Sequence, residues 1–278
     1  MLPNLIVIGA AKCGTTSLHW YLGSHPEITM SQEKELNYFV AEERWSRGLD
    51  WYESQFRESR VRGESSPDYT AYPHFVGVPS RMAATVPDAK LIYLVRDPVE
   101  RIVSQYRFRR WVTKGETCEL DAAVRDFDRS LYVALSSYAM QLEQYLEHFA
   151  PERILVLDQA DLRLQREDTL RRAFHFLDVD ESFGSRGAAH EYNPTEGPRS
   201  NTAGRGLIRV LDATVGRQRS AQIQARTPHW LVRPLLRIPE VPEVQLDPVL
   251  RAELITYLKP DTDRLRTLTG QPFAGWCT

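Results

Sequence analysis

The chain is poor in cysteine, has no long apolar run and shows no clustered metal ligands. Its three cysteines, Cys13, Cys118 and Cys277, are odd in number and far apart. A disulfide framework needs a denser, even set, so a reducing, cytoplasmic setting is expected. The seven histidines are scattered, and neither H-x-x-x-H nor C-x-x-C occurs, so no metal site is expected. The first apolar run, Leu5 to Ala11, is too short to span a bilayer and lacks a basic leader. Neither a membrane span nor a signal peptide is expected, and the fold should begin near Met1. The net charge of −2 gives no bulk attraction to nucleic acid, although a local anion pocket is compatible with it.

What is present is an ordinary globular composition, 42% apolar and 26% charged over 278 residues. That length can bury roughly three quarters of the unfolded surface without a metal or disulfide staple. Three apolar runs read as buried parallel strands: Asn4 to Gly9, Lys90 to Val95 and Arg153 to Asp158. Val61 to Glu64 reads as a short fourth. Helices are expected over Thr15 to Leu22, Glu42 to Phe56 and Pro98 to about Trp111. More are expected over Asp121 to Asp128, Ser137 to Phe149, Asp168 to Phe176 and Pro248 to about Leu258. Asp97, Pro98 and Glu100 have the order of an N-cap, a first-turn proline and a capping box. Strands alternating with helices predict a three-layer α/β domain with a parallel sheet. Residues 184–205 read as a long loop and 227–248, with five prolines, as irregular. The chain therefore reads as a single domain over 1–278 with a loop-rich part from about 184.

The turn after the first strand carries the most information. Gly9-Ala10-Ala11-Lys12-Cys13-Gly14-Thr15-Thr16 lies between a buried strand and a helix. Two glycines five apart let the backbone wrap an anion, and the helix N-terminus adds positive potential. The spacing is that of a P-loop, but Thr15 stands where a nucleotide triphosphatase has its lysine, and the lysine lies inside the turn at Lys12. From there it can reach the bridging oxygen of a phosphosulfate. Cys13 reads as the small residue the loop needs rather than as a redox thiol.

Gly9 to Ser17 resembles the 5′-phosphosulfate loop of sulfotransferases that use 3′-phosphoadenosine 5′-phosphosulfate (PAPS). Arg96-Asp97-Pro98-Val99-Glu100-Arg101 and Ser104 resemble that family's 3′-phosphate element. The resemblance implies a P-loop-like nucleotide-binding topology. It assigns the donor to Ala11, Lys12, Cys13, Gly14, Thr15, Thr16, Ser17, Arg96 and Ser104. Arg199, with Arg205 as its rival, is implied as a further 3′-phosphate ligand in the long loop. Glu33-Lys34-Glu35-Leu36-Asn37-Tyr38-Phe39 resembles a stretch of the glycosaminoglycan branch whose glutamate is the catalytic base. Glu35 matches that position, and Lys34 ranks behind it as a contact to donor or acceptor. Chemically, a hydroxyl acceptor must lose a proton as it attacks sulfur, and a carboxylate beside the donor can take it.

Glu64 is the fallback base. Ser65 stands where the glycosaminoglycan branch often has lysine, which argues against a long anionic glycan and leaves a small-molecule or carbohydrate acceptor. Arg107, Arg109, Arg110 and Trp111 read as a solvated helix face in preference to an acceptor mouth. Two other functions fit parts of the pattern. One is an ATP- and Mg²⁺-dependent small-molecule kinase, with Asp158 as its metal-binding aspartate. The other is a non-catalytic nucleotide-binding module.

Overall fold

The computed structural model describes residues 1–183 and 242–278. Residues 1–183 and 244–278 belong to one compact unit. The expected loop at 184–205, most of the irregular stretch at 227–248, and both Arg199 and Arg205 lie outside the described residues.

Five parallel strands form the sheet in the order β2-β3-β1-β4-β5: β1 Leu5–Gly9, β2 Ile28–Met30, β3 Val61–Ser65, β4 Lys90–Val95 and β5 Ile154–Asp158. Every residue of β1 is buried, and so is all of β4 beyond Lys90. A parallel strand is buried this way only when layers cover both faces, so the three-layer α/β expectation holds. Chain order reverses around β1, which pairs with β3 on one side and β4 on the other. The carboxyl ends of β1 and β4 therefore flank the crevice where open α/β sheets bind ligands. The pairing of β1 with β4 slips between Val7 and Gly9, where the strand gives way to the glycine turn.

The helices are α1 Thr15–Leu22, α2 Leu49–Glu53, α3 Val78–Thr85, α4 Pro98–Arg107, α5 Leu120–Val124, α6 Leu131–Ala134, α7 Tyr138–Leu146, α8 Gln159–Leu164, α9 Arg166–Phe176 and α10 Pro248–Thr269. A main core joins the sheet to α1, α7 and α9. A second lies between α4, α5, α6 and the first half of α10, through Ile102, Tyr106, Val124, Tyr132, Leu250 and Leu254.

Three local expectations need correcting. The helix expected over 42–56 is a 3₁₀ turn, Trp45–Arg47, followed by α2. Gly48, at φ 79° and ψ 166°, breaks it. Helix α3 is unannounced by the sequence pattern; Gly77 caps it and Pro79 sits in its first turn. Helix α10 does not stop near Leu258 but passes through Pro260. Its buried stripe, Leu254, Leu258, Thr262 and Leu265, spans the proline, and that packing outweighs the roughly 3 kcal/mol that an interior proline costs. The N-cap expectation holds in part. Asp97 accepts from the Val99 and Glu100 amides at 3.0 Å each, whereas the Glu100 carboxylate faces the Arg96 guanidinium at 3.5 Å.

No helix among the described residues is long and apolar enough to cross a membrane.

Candidate functional site

The glycine turn joins β1 to α1 and is held from several sides. Gly9 is obligatory for space: a Cβ there would lie 2.0 Å from Thr70 Oγ1. Lys12 at φ 72° and Gly14 at φ 92° turn the chain through the left-handed region, and Gly14 caps α1. The Ala10 amide donates to the Leu94 carbonyl at 2.6 Å, tying the turn to β4. Lys12 Nζ lies 4.2 Å from the Phe108 ring centroid, so this lysine reaches across the crevice toward the end of α4. Thr15 is buried, and Thr16 and Ser17 are half-buried at the first turn of α1.

The Cys13 thiol is fully buried 3.5 Å from the Tyr138 hydroxyl, and burial pushes its pKa up. A buried, protonated thiol suits the space-filling role expected of it.

The second loop leaves β4 one strand away. Arg96 is 24% exposed, and its Glu100 partner is more exposed still. An exposed pair at this distance contributes little to stability, so Arg96 remains available to an anion. Ser104 lies two turns further along α4. Its hydroxyl is buried with no hydrogen-bond partner among the described residues. Buried hydroxyls are normally satisfied, so this orphan marks a place for an outside acceptor.

Between the loops lies a residue whose role sequence reasoning missed. Arg101 is 0% exposed. Its guanidinium donates to Ser136 Oγ at 2.6 Å, the Tyr132 carbonyl at 2.8 Å and the Ala11 carbonyl at 3.4 Å. It therefore ties the glycine turn to α4 and α6. The available signal was its place four residues after Asp97, on the inward face of α4. Tyr138 is a second such link, for its hydroxyl also accepts from the Arg96 amide at 3.4 Å.

On the other flank, Glu35 and Lys34 form an ion pair at 2.5 Å. Glu35 is 52% exposed and Lys34 is 15% exposed. Glu35 sits at φ 63° and Asn37 at φ 48°, a conformation costing on the order of 1–3 kcal/mol per residue. The carboxyl end of β3 and the residue after it hold this conformation. The Glu35 amide donates to the Ser65 carbonyl at 2.9 Å, and the Asn37 amide to Ser66 Oγ at 3.0 Å.

Glu64 is no candidate base. It is 0% exposed and accepts hydrogen bonds from Tyr52, Ser66 and Tyr69, while burial raises its pKa. Ser65 is equally buried, and its hydroxyl lies 3.0 Å from His19 Nδ1. Arg110 is occupied by the Glu116 carbonyl at 3.3 Å and Glu119 at 3.2 Å, and Arg109 lies over the Tyr132 ring, so both serve local packing.

Asp158 caps α8 through the Ala160 amide and accepts from the Trp276 indole with its other oxygen, both at 2.9 Å. With both oxygens engaged it is a poor metal ligand, which removes one of the two supports for a kinase.

The neutral His19 gives a measurable signature. Burial, helped by Lys34, holds its pKa down to about 4 against an ordinary 6.5. The unfolded chain thus binds one more proton between those values, and stability falls as pH drops from 6.5 toward 4. The full contribution is about 3 kcal/mol. His19→Gln should flatten this loss when urea unfolding is compared at pH 7 and pH 5. The raised pKa of Glu64 acts in the opposite direction in both proteins and cancels in the comparison. Identical acid sensitivity in the two proteins would mean that His19 is not held neutral.

The sheet order and the glycine-bounded turn define a P-loop-like nucleotide-binding fold. Residues 2–192 match the sulfotransferase domain family, and the chain belongs to it. Among curated relatives, the membrane-associated sulfotransferase kil1 of Dictyostelium discoideum is 39% identical over 127 residues, covering 43% of this chain and 26% of that protein. A bifunctional heparan sulfate N-deacetylase/N-sulfotransferase of Caenorhabditis briggsae is 26% identical over 201 residues, covering 65% of this chain and 23% of its own. The chain spans about a quarter of the length of these relatives.

In fold, the chain resembles a sulfotransferase from Alicyclobacillus acidocaldarius, with a TM-score of 0.69 and 24% identity over 100% of both chains. It also resembles a mouse sulfotransferase complexed with PAP, with a TM-score of 0.52 and 16% identity over 97% of this chain and 87% of that one. The family resemblance drawn from the two loops is borne out, and the heparan sulfate relatives bear out its link to the glycosaminoglycan branch.

Proposed function

We propose that this chain transfers a sulfuryl group from PAPS to a hydroxyl or amine on a small-molecule or carbohydrate acceptor. The observation that carries the reading is the orphaned, buried hydroxyl of Ser104, on the helix that follows Arg96 and across the crevice from the Lys12 turn. The turn from Ala11 to Ser17 binds the 5′-phosphosulfate, with Thr15 and Thr16 as hydroxyl donors. Arg96 and Ser104 bind the 3′-phosphate.

In the reaction the acceptor oxygen forms a bond to sulfur as the bridging sulfur–oxygen bond breaks. Glu35 takes the acceptor proton, and Lys12 stabilises the charge gathering on the departing phosphate oxygen. Such preorganised charge is usually the largest single contribution to rate. The ion pair with Lys34 holds the Glu35 carboxylate. The site offers a buried hydroxyl at Ser65 rather than a cation, which supports an acceptor of low negative charge. Three unpaired cysteines support a reducing, cytoplasmic setting.

Calorimetry with adenosine 3′,5′-bisphosphate and AMP, both in excess chelator, tests the donor site. The parent chain should prefer the bisphosphate. In Arg96→Ala that preference should shrink by roughly tenfold to a hundredfold, the value of a charged hydrogen bond, while AMP binding holds. Equal losses for both nucleotides would make Arg96 structural. Binding that needs Mg²⁺ would sink the donor reading.

A further inference from the structure

Residues 270–278 are fastened to the donor edge of the sheet by contacts the proposed reaction does not use. Gly270 at φ 66° ends α10, and Phe273 at φ 44° turns the chain back. Arg266 holds the turn by donating to the Pro272 carbonyl at 2.9 Å and the Thr278 carbonyl at 2.7 Å. Phe273 and Trp276 stack with centroids 4.4 Å apart.

From that platform three contacts reach the donor loops. The Trp276 indole donates to Asp158 at the end of β5 at 2.9 Å. Its ring lies 5.7 Å from that of Tyr138, whose hydroxyl bridges Cys13 and the Arg96 amide. The Cys277 amide donates to Asp97 Oδ2 at 2.7 Å. The other oxygen of Asp97 caps α4, the helix that carries Ser104. Asp97, directly after Arg96, thus has one oxygen on the Cys277 amide and its other oxygen shared between the helix amides and the Cys277 thiol, the latter at 3.5 Å. Helix α10 adds Asp261, whose two oxygens cap α7 through the Ala139 and Met140 amides at 3.0 Å each and so fix Tyr138.

We propose that residues 273–278 are a positioning strap for the 3′-phosphate element, with the Trp276 indole and the Cys277 amide as its working contacts. The inference rests on the donor reading above. These contacts fall on Asp97 beside Arg96, on Asp158, which pairs with Val95 just before Arg96, and on Tyr138, which touches the Arg96 amide and Cys13 of the glycine turn. None of the three falls on the segment carrying Glu35. Slackening the strap therefore lets Arg96 and the start of α4 drift relative to the turn, without touching the acceptor side.

Trp276→Phe keeps an aromatic ring on Phe273 but is smaller and removes the indole N–H that holds Asp158. Cys277→Pro removes both the amide and the thiol that hold Asp97. Each variant is titrated with adenosine 3′,5′-bisphosphate and with AMP, its Tm is recorded, and the acceptor KM is measured in turnover. Bisphosphate binding should weaken about three- to tenfold, the usual effect of residues that act through others, while AMP binding and acceptor KM stay at parent values. Equal weakening for both nucleotides, or unchanged binding in folded variants, would overturn the strap. Failure of the parent chain itself to prefer the bisphosphate would instead overturn the donor reading beneath it.

Discussion

Lys12→Ala should lower turnover by roughly 10²–10³, the cost of removing one preorganised donor from developing charge. The fold should survive. Lys12 already sits at φ 72°, so alanine inherits the backbone strain without adding to it. The contact with Phe108 contributes about 0.5–1 kcal/mol at an accessible site, so Tm should shift by only a few degrees. The expected pattern is a fall in kcat larger than the fall in donor affinity, because the lysine acts on charge that exists only as the bridging bond breaks. Single-turnover rates beside bisphosphate titrations separate the two. Near-parental turnover, or a loss seen entirely in donor binding, would move the charge-stabilising role to another group. Arg96 lies on the far side of the crevice and would be examined next.

What was legible in the sequence, and what was not, follows the range of the interactions. The turn from Gly9 to Gly14 is a local code, since a buried strand, two glycines and a helix start are set by neighbours in the chain. The same holds for Asp97 and Pro98 at the start of α4. Strand β2 has only three residues, too few for a pattern, and its place beside β3 depends on partners some thirty residues away. Arg101 was visible only as the last residue of the Arg96 to Arg101 motif, because the buried partners that define its role, Tyr132 and Ser136, lie 31 and 35 residues further on. Cys277 and Asp97 are 180 residues apart, beyond any periodicity.

Glu64 misleads for a related reason. Its charge suggests exposure, while hydroxyls from Tyr52 and Tyr69 satisfy it inside the core. The proline in α10 misleads in the opposite way, because a local rule is overridden by a buried stripe on both sides of it. Candidate site residues were legible where they sit on local turns, and their supports were missed where they come from distant parts of the chain.

Glu35→Gln should lower turnover with a hydroxyl acceptor by roughly 10²–10⁴, the usual contribution of a general base, and leave donor binding nearly unchanged. The amide keeps the shape of the carboxylate and still accepts from Lys34, but it cannot take a proton. The segment should stay in place, because its left-handed turn is held by backbone bonds to Ser65 and Ser66 rather than by the Glu35 side chain. An acidic phenol, already ionised at the assay pH, should recover part of the lost rate, since it needs no base. Such rescue separates a base from a residue that merely orients the acceptor, for which both acceptor types would lose alike. With Glu64 sealed in the core, normal turnover in Glu35→Gln would leave Asp68 as the next carboxylate to test. It is half-buried within reach of the field of Glu35, and burial raises its pKa. It accepts from the Asn37 side chain at 3.2 Å, which places it against the same left-handed turn that carries Glu35.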